Sequence, residues 1–353
     1  MNLKRERLDS LGATPAEAAE AAGAPAAHAP LAMRSPSLPD TSGWVVRPVA
    51  LKISLGERRL FWFPFTMAVK EAHFTELADD EYVNWSDWSA VPGHVDAVVI
   101  RSQPVTSPLP RRLATAGGVR YVPAQYLRYY MEFNGTFEQY LQKFSSKVRS
   151  NRKREVKKFA EFSGGTIDFR QYRTAAEVEE FYRLARELSR KTFQERLLDA
   201  GLPDNETYRS NLLDLASQDR IRAYLMFKSG AAVAYLLTEV RVPDILLYRY
   251  LGYDPEFRSW SPGTVLHCLA FERLFAKQRF RFLDFTEGEG THKKFFATGN
   301  RSCADIFFFR RTFKNRMFLL LHSSTEGFSR AVAGMLDRLG LKARIKKLLR
   351  AWA

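Results

Sequence analysis

Cysteine is scarce: Cys268 and Cys303 are the only two in 353 residues. Two are too few for a disulfide framework, and neither stands in a CxxC or Cys/His spacing that would hold zinc. Both are expected as small buried apolar residues in a protein of a reducing compartment. No apolar run approaches the ~20 residues that span a bilayer. The charged start MNLKRERLDS has no apolar core behind it, so no leader is expected there and a cytoplasmic location is. Catalytic signatures are missing too. HExxH and GxSxG are absent, which removes the best support for zinc hydrolysis and for a nucleophile elbow. A P-loop needs GxxxxGK and then Ser or Thr, but Gly290 is followed by Thr291 and His292. TEGEGTHKK lacks the alternating acids of an EF-hand, and Asp284 and Phe285 precede Thr286 in a chain with no HRD motif, which excludes a protein kinase. No metal is expected.

What the chain has in excess is positive charge, +15 in all. The surplus is concentrated. Between Lys143 and Lys158 eight Lys or Arg face one Glu, and between Arg310 and Arg350 eleven face two acids. Such patches favour phosphates, nucleotides, nucleic acid or an acidic membrane surface, or else solvate a helix. No zinc finger, RNP-type aromatic motif or helix-turn-helix supports specific nucleic-acid binding.

With 46% hydrophobic residues the chain can bury one large core or two of ordinary size. Residues 1–43, rich in Ala and Pro, read as a disordered tail. RLFWFPF, VDAVVIRS and YLRYYMEF look like strands, and GTFEQYLQKFSSKVRSNRKREVKKFAEF then turns to a helical spacing whose second half is cationic. After TIDFRQY, Thr174 and Glu177 form a capping box ahead of the stripe Val178, Phe181, Tyr182, Ala185, Leu188. RAYLMFKSGAAVAYLLTEVRVPDILLYRYLGYDPEF reads as three antiparallel strands. A helix after Pro262 and Gly263, the strand RFRFLDF, a loop with a short helix, and the strand CADIFFFRR complete the order. That mixture predicts an α+β (mixed α/β) fold.

Two loops carry candidate chemistry. In RSWSPG, Arg258, Ser261 and Gly263 fall at the spacing R-x-x-S-x-G, similar to the R/Q-x-x-G-x-G/A turn with which acyl-CoA-dependent acetyltransferases hold pyrophosphate. Small residues at a helix start let backbone N–H groups approach an anion that the helix dipole also favours, although a Pro-Gly helix entry needs no ligand. The turn follows a long strand and precedes an amphipathic helix. With that order, residues 95–311 resemble the CelD-like branch of the GNAT superfamily, acetyltransferase-type proteins associated with cellulose and exopolysaccharide production. FSSKVRSNRKREVKKF, YRYLGYDPEFRSWSPGTVL and LDFTEGEGTHKKFFATG carry the likeness. In the last of these, Asp284, Gly288, Lys293 and Phe296 match the family pattern, whereas His292 replaces a usual Tyr and Thr286 a usual Gly. The family is also similar to the Fem-type aminoacyl transferases, which contain two GNAT-like lobes.

The resemblance implies two tandem GNAT-like lobes: a degenerate one over 44–160 ending in the basic helix, and one over 161–312 carrying the acyl-CoA-type site. A basic amphipathic tail follows over 313–353. It implies acetyl-CoA or another acyl-CoA as co-substrate, held by Arg258, Ser261, Gly263 and Thr264, and direct attack on the thioester by an amine or hydroxyl. Asp284, Glu287, Glu289 and His292 are candidate proton acceptors. Asp284 sits in the apolar strand FLDF, where partial burial would make it a better base, unless it caps the following loop. Lys293 can hold an anionic acceptor or stabilise developing charge. Tyr250, with Tyr248 and Tyr253 beside it on the strand, can protonate the leaving thiolate. Arg149, Arg152 and Arg154, with Glu287 and Glu289, are the expected acceptor-binding residues. The acceptor would be a saccharide, a lipid-linked saccharide or a small metabolite. Two other functions compete: Fem-like transfer from aminoacyl-tRNA to a cell-wall precursor, and non-catalytic binding to anionic surfaces. In the tail, Val332, Met335, Leu336, Leu339, Ile345, Leu348, Leu349 and Trp352 approximate one apolar face, and Arg338, Lys342, Lys346, Lys347 and Arg350 crowd the remainder. That pattern suits either a helix on anionic lipid at the inner face of the membrane or docking on the protein's own core.

Overall fold

The structure is a computed structural model and describes residues 44–55, 58–75, 88, 91–192, 195, 201–288 and 290–338. The tail over 1–43, the residues after 338 and Glu289 lie outside the described residues. The fold is mixed α/β, in two compact units. Among the described residues one spans Leu127–Arg301, and the other takes those up to Tyr126 together with those from Ser302.

In the 127–301 unit the strands lie in the order β6 (Gln125–Glu132), β11 (Phe282–Asp284), β10 (Ile245–Tyr253), β9 (Ala231–Val242), β8 (Ile221–Lys228), β7 (Asp168–Tyr172). β10 and β11 run parallel; every other neighbouring pair is antiparallel. The KSG turn between β8 and β9 places Ser229 and Gly230 at positive φ, the geometry that two-residue hairpins need. All but the last residue of β8 are buried, as expected for a strand covered on both faces.

One face packs the helices α1 (Phe137–Leu141), α2 (Ser146–Phe162), α5 (Pro262–Lys277) and α6 (Thr291–Phe296) around Met131, Phe159, Leu246, Phe271 and Leu283. The opposite face packs α3 (Ala175–Ser189) and α4 (Glu206–Ser217) around Phe181, Leu188, Leu212 and Leu225. The predicted capping box starts α3: Glu177 accepts from the Thr174 N–H at 2.9 Å, and Thr174 Oγ1 accepts from the Glu177 N–H at 3.4 Å.

The single helix expected across GTFEQYLQKF and the basic run is two. Lys143 breaks away to donate to the carbonyls of Phe296 and Ala297, Phe144 stacks on Phe295, and Ser145 caps α2. Sequence boundaries were placed after 160 and 312, whereas the unit runs from Leu127 to Arg301. The reason is packing: Tyr129, Met131, Tyr140 and Phe159 share one core with Leu266 and Phe271.

The other unit orders β1 (Val45–Leu55), β2 (Arg58–Glu71), β3 (Ala97–Pro104) and β12 (Gly299–Arg310), with β5 (Gly118–Tyr121) on β12 and β4 (Arg112–Ala114) on β5. β2 and β3 are parallel. The helix α7 (Phe313–Arg338) covers one face, where Phe318 meets Phe65 edge-on at 4.9 Å. Among the described residues no helix is long and apolar enough to cross a membrane. Cys268 and Cys303 are both free and buried.

Candidate functional site

The parallel pairing of β10 with β11 lasts three residues, from Ile245 opposite Phe282 to Leu247 opposite Asp284. β10 then continues to Tyr253, while the chain after Asp284 turns off through Thr286 and Gly288, both at positive φ. A register shift between Tyr248 and Tyr250 bends β10 where the two strands part. The stretch Tyr248–Tyr253 therefore runs on without β11 beside it.

Below this opening lies Asp284, fully buried at the end of β11. Its carboxylate takes the Arg128 guanidinium at 2.7 to 3.0 Å and the Thr286 N–H at 2.8 Å. Arg128, itself buried, comes from β6, whose Tyr130 is in register with Asp284. The carboxylate thus bonds the backbone of the turn and an arginine from a distant strand at once.

Lys293, on α6, is buried and donates from Nζ to the Glu287 carbonyl at 2.6 Å. Burial pushes its pKa down to about 8, against the pull of Asp284 and Glu287 and with a smaller push from Arg128. His292 is partly exposed, and burial followed by Lys293 holds it at about 4. Its ring lies 6.0 Å from Tyr248 and 6.4 Å from His267. His267, buried on α5, shares a 2.9 Å hydrogen bond between Nε2 and the Tyr248 hydroxyl. Burial, then His292 and Arg152, lower it to about 3. At neutral pH both imidazoles are uncharged, and Lys293 is the titrating group beside them.

At the other end of the free stretch of β10, a 3-10 turn over Pro255–Trp260 leads to Ser261 in the left-handed region, φ +52°, and then to α5. Ser261 makes no side-chain cap. Pro262 lacks an N–H, so Gly263 and Thr264 supply the first helical donors, and neither has an intrahelical partner. A Cβ on Gly263 would meet Tyr253 Cδ1 at 3.3 Å, so glycine lets strand and helix start come close. α2 flanks this turn: Phe162 stacks on Trp260 with centroids 4.0 Å apart, and Lys158 donates to the Ser259 carbonyl at 3.2 Å.

Residues 146–294 match a family model described as an acetyltransferase (GNAT) domain. No curated protein matches the chain by sequence. Solved structures similar to it include FemX, at 11% identity over 79% of this chain and 91% of that one with a TM-score of 0.48. The C-terminal domain of a lysylphosphatidylglycerol synthetase from Agrobacterium fabrum is similar at 8% identity, over 80% of this chain and 88% of that one, TM-score 0.46. The ribosomal-protein-S18-alanine N-acetyltransferase from Escherichia coli is similar at 11% identity, over 42% of this chain and 96% of that one, TM-score 0.28.

Across the residues from 146 to 294 the candidate residues fall into groups. Asp284, Glu287, His292 and Lys293 come together where β10 and β11 part. Arg258, Ser261, Gly263 and Thr264 gather at the α5 start. Tyr250 belongs to neither group: its ring meets Tyr208 of α4 edge-on at 6.1 Å, on the opposite face of the sheet. Of the basic helix, Arg152 approaches the site, lying over Phe295 at 5.1 Å and pairing with Glu155. Arg149 donates to the Phe144 carbonyl and Arg154 to Asn151, which ties both to their own segment. Sequence reasoning passed over His267 and Arg128. For His267 a signal existed: a histidine inside an apolar helix stripe, four residues before Phe271. Arg128 carried none, because its partner lies 156 residues away.

Proposed function

We propose that the chain is an acyl-CoA-dependent acyltransferase that passes an acetyl or longer acyl group directly to an amine or hydroxyl. The observation that carries this is the free stretch Tyr248–Tyr253 of β10, leading from Lys293 and His292 at one end to the uncapped start of α5 at the other. The N–H groups of Gly263 and Thr264 would take the pyrophosphate, with Arg258 beside them, and the close Tyr253 contact at Gly263 fits a chain of ligand laid along the strand.

At the other end Lys293, with its pKa near 8, accepts the acceptor's proton in its neutral form. The acceptor's nitrogen or oxygen bonds to the acyl carbon, the carbon–sulfur bond breaks, and the Lys293 ammonium returns the proton to the departing sulfur. His292, uncharged and partly exposed, orients the acceptor by hydrogen bonding. Asp284 and Arg128 hold the turn in place. Tyr250 faces α4 and takes no part in this transfer; Tyr248 is the tyrosine that lies on the His267 side.

A saccharide or lipid-linked saccharide is the proposed acceptor class. The resemblance of the basic helix and of LDFTEGEGTHKKFF to the CelD-like branch supports it, and Arg152 is a cation of that helix that lies over Phe295 beside the site. The second unit is proposed as a degenerate lobe, and the protein as cytoplasmic with a peripheral contact to anionic membrane. Support for that contact comes from α7, where Phe313 is 80% exposed with Met317 and Leu320 following at helical spacing among Arg311, Lys314 and Arg316.

Calorimetry with acetyl-CoA and longer acyl-CoAs tests the reaction class; binding by none of them sinks it. The presence of two compact units favours a second reading, transfer from aminoacyl-tRNA. Turnover with acyl-CoA and none with aminoacyl-tRNA decides against it.

A further inference from the structure

At the opposite end of α5, its C-terminus, strands β7 and β8 and the start of α3 enclose a cavity of about 420 Å³. α5 has sixteen residues, so its two ends lie ~24 Å apart and this cavity is separate from the helix start described above. Five cations line it, Arg173, Arg222, Arg273, Lys277 and Arg279, with Glu177 as the lining acid.

The charges do not balance. Asp219 receives three guanidinium groups at once, from Arg173, from Arg222 at 2.9 Å and from Arg279 at 2.8 Å. Glu177 is already engaged by the N–H groups of Arg173 and Thr174 at the helix cap. Arg273 and Lys277 form no ion pair among the described residues; the Arg273 guanidinium lies over the Phe169 ring at 5.3 Å. Burial lowers the pKa of Arg222, Asp219 raises it in part, and Arg173 and Arg279 lower it again. Of the five, Arg222 alone is buried and it pairs with Asp219, while Arg173, Arg273, Lys277 and Arg279 are exposed, so the cluster carries a surplus of positive charge open to an anion.

A second observation is independent of charge. Tyr224 lines the cavity, fully buried and stacked on Phe169 with centroids 5.6 Å apart, and its hydroxyl has no hydrogen-bond partner. Buried hydroxyls are rarely left so, because burial without a partner is costly. Phe280 and Leu274 supply apolar wall beside it.

We propose that this cavity binds a small organic phosphate, with the phosphate between Arg273, Lys277 and Arg279 and the organic part against Phe280, Leu274 and the Tyr224 hydroxyl. A dianionic phosphate matches a surplus of several positive charges and the forked donors of arginine better than a single carboxylate does. The volume lies in the range of small-molecule sites and exceeds what one inorganic ion fills. The proposal does not depend on the acyltransfer reading.

The test uses the full chain and calorimetry with four probes: glucose 6-phosphate, AMP, inorganic phosphate, and glucose as the uncharged control. Glucose 6-phosphate or AMP binds at submillimolar concentration and glucose does not; which phosphate binds more tightly separates a sugar from a nucleotide source. The double substitution Arg273→Gln with Lys277→Gln, at exposed positions, weakens that binding at least about tenfold. Tyr224→Phe, which removes only the hydroxyl, weakens it several-fold. Thermal melts of the same variants verify that they fold. No phosphate binding by wild type below about 5 mM, binding of glucose equal to its phosphate, or a double variant that binds like wild type overturns the site. Affinity for inorganic phosphate matching that for both esters overturns its organic character.

Discussion

Replacing Lys293 by Met separates the energetics of the buried amine from every assumption about substrate. In the folded protein Lys293 is 6% exposed and its pKa is about 8, against 10.5 for a free lysine. Folding therefore weakens its hold on the proton. Between pH 8 and 10.5 the unfolded chain binds more protons at this position than the folded one, so stability rises with pH across that window. Below pH 8 the full cost of burying the charge is present, about 3 kcal/mol for a displacement of this size. Lys293→Met has no charge to bury. The difference in unfolding free energy between wild type and variant should move by about 2.5 kcal/mol in favour of wild type from pH 7 to pH 10. Urea unfolding of both proteins at the two pH values measures it, and using the difference cancels the titration of every other group. A difference flat with pH would refute the claim that Lys293 is buried as a titrating amine, and with it the proposed proton transfer. If the claim holds, the rate with acyl-CoA and acceptor rises through an apparent pKa near 8, and Lys293→Met loses that limb.

Three further outcomes follow from the geometry. Asp284→Asn keeps an acceptor for the Thr286 N–H but removes the carboxylate charge that faces the buried Arg128 guanidinium, a loss of about 3 kcal/mol by chemical denaturation; adding Arg128→Met should recover part of it. Gly263→Val drives a branched side chain against the Tyr253 ring at the α5 start, and acetyl-CoA affinity measured by calorimetry should fall at least about tenfold with little change in melting temperature. At Gly252 an added Cβ would stand 2.3 Å from Tyr235 Cε1, a contact that a packed ring does not yield, so Gly252→Ala should cost about 1–3 kcal/mol in urea.

The order of elements in the 127–301 unit was legible because it rests on local patterning. The stripe of α3, the capping box at Thr174 and Glu177 and the hairpin at Ser229 and Gly230 are each decided by residues within a few positions of one another. The same is true of the helix start after RSWSPG. Where Phe144 had to choose between continuing a helix and stacking on Phe295, local spacing pointed one way and a distant ring decided the other.

The candidate site divides along the same line. Asp284, at the end of β11, and His292 and Lys293, in the first turn of α6, stand within ten residues of one another, so their proximity needed little from the fold, and Gly263 announced itself by its place between a proline and an apolar helix. What only tertiary structure decided is what those residues are bonded to. Arg128 arrives from a strand more than 150 residues earlier and pairs with the Asp284 carboxylate. Tyr248 and Tyr250 read alike in the sequence, yet the register shift between them sends one towards His267 and the other towards Tyr208. The basic cavity draws Arg173, Arg222 and Lys277 from three elements around Tyr224, and no single window of the chain contains it. Sequence alone determines periodicity, caps and turns because these are near-neighbour physics; partners, burial and the pKa of Lys293 belong to contacts that exist only once distant segments meet.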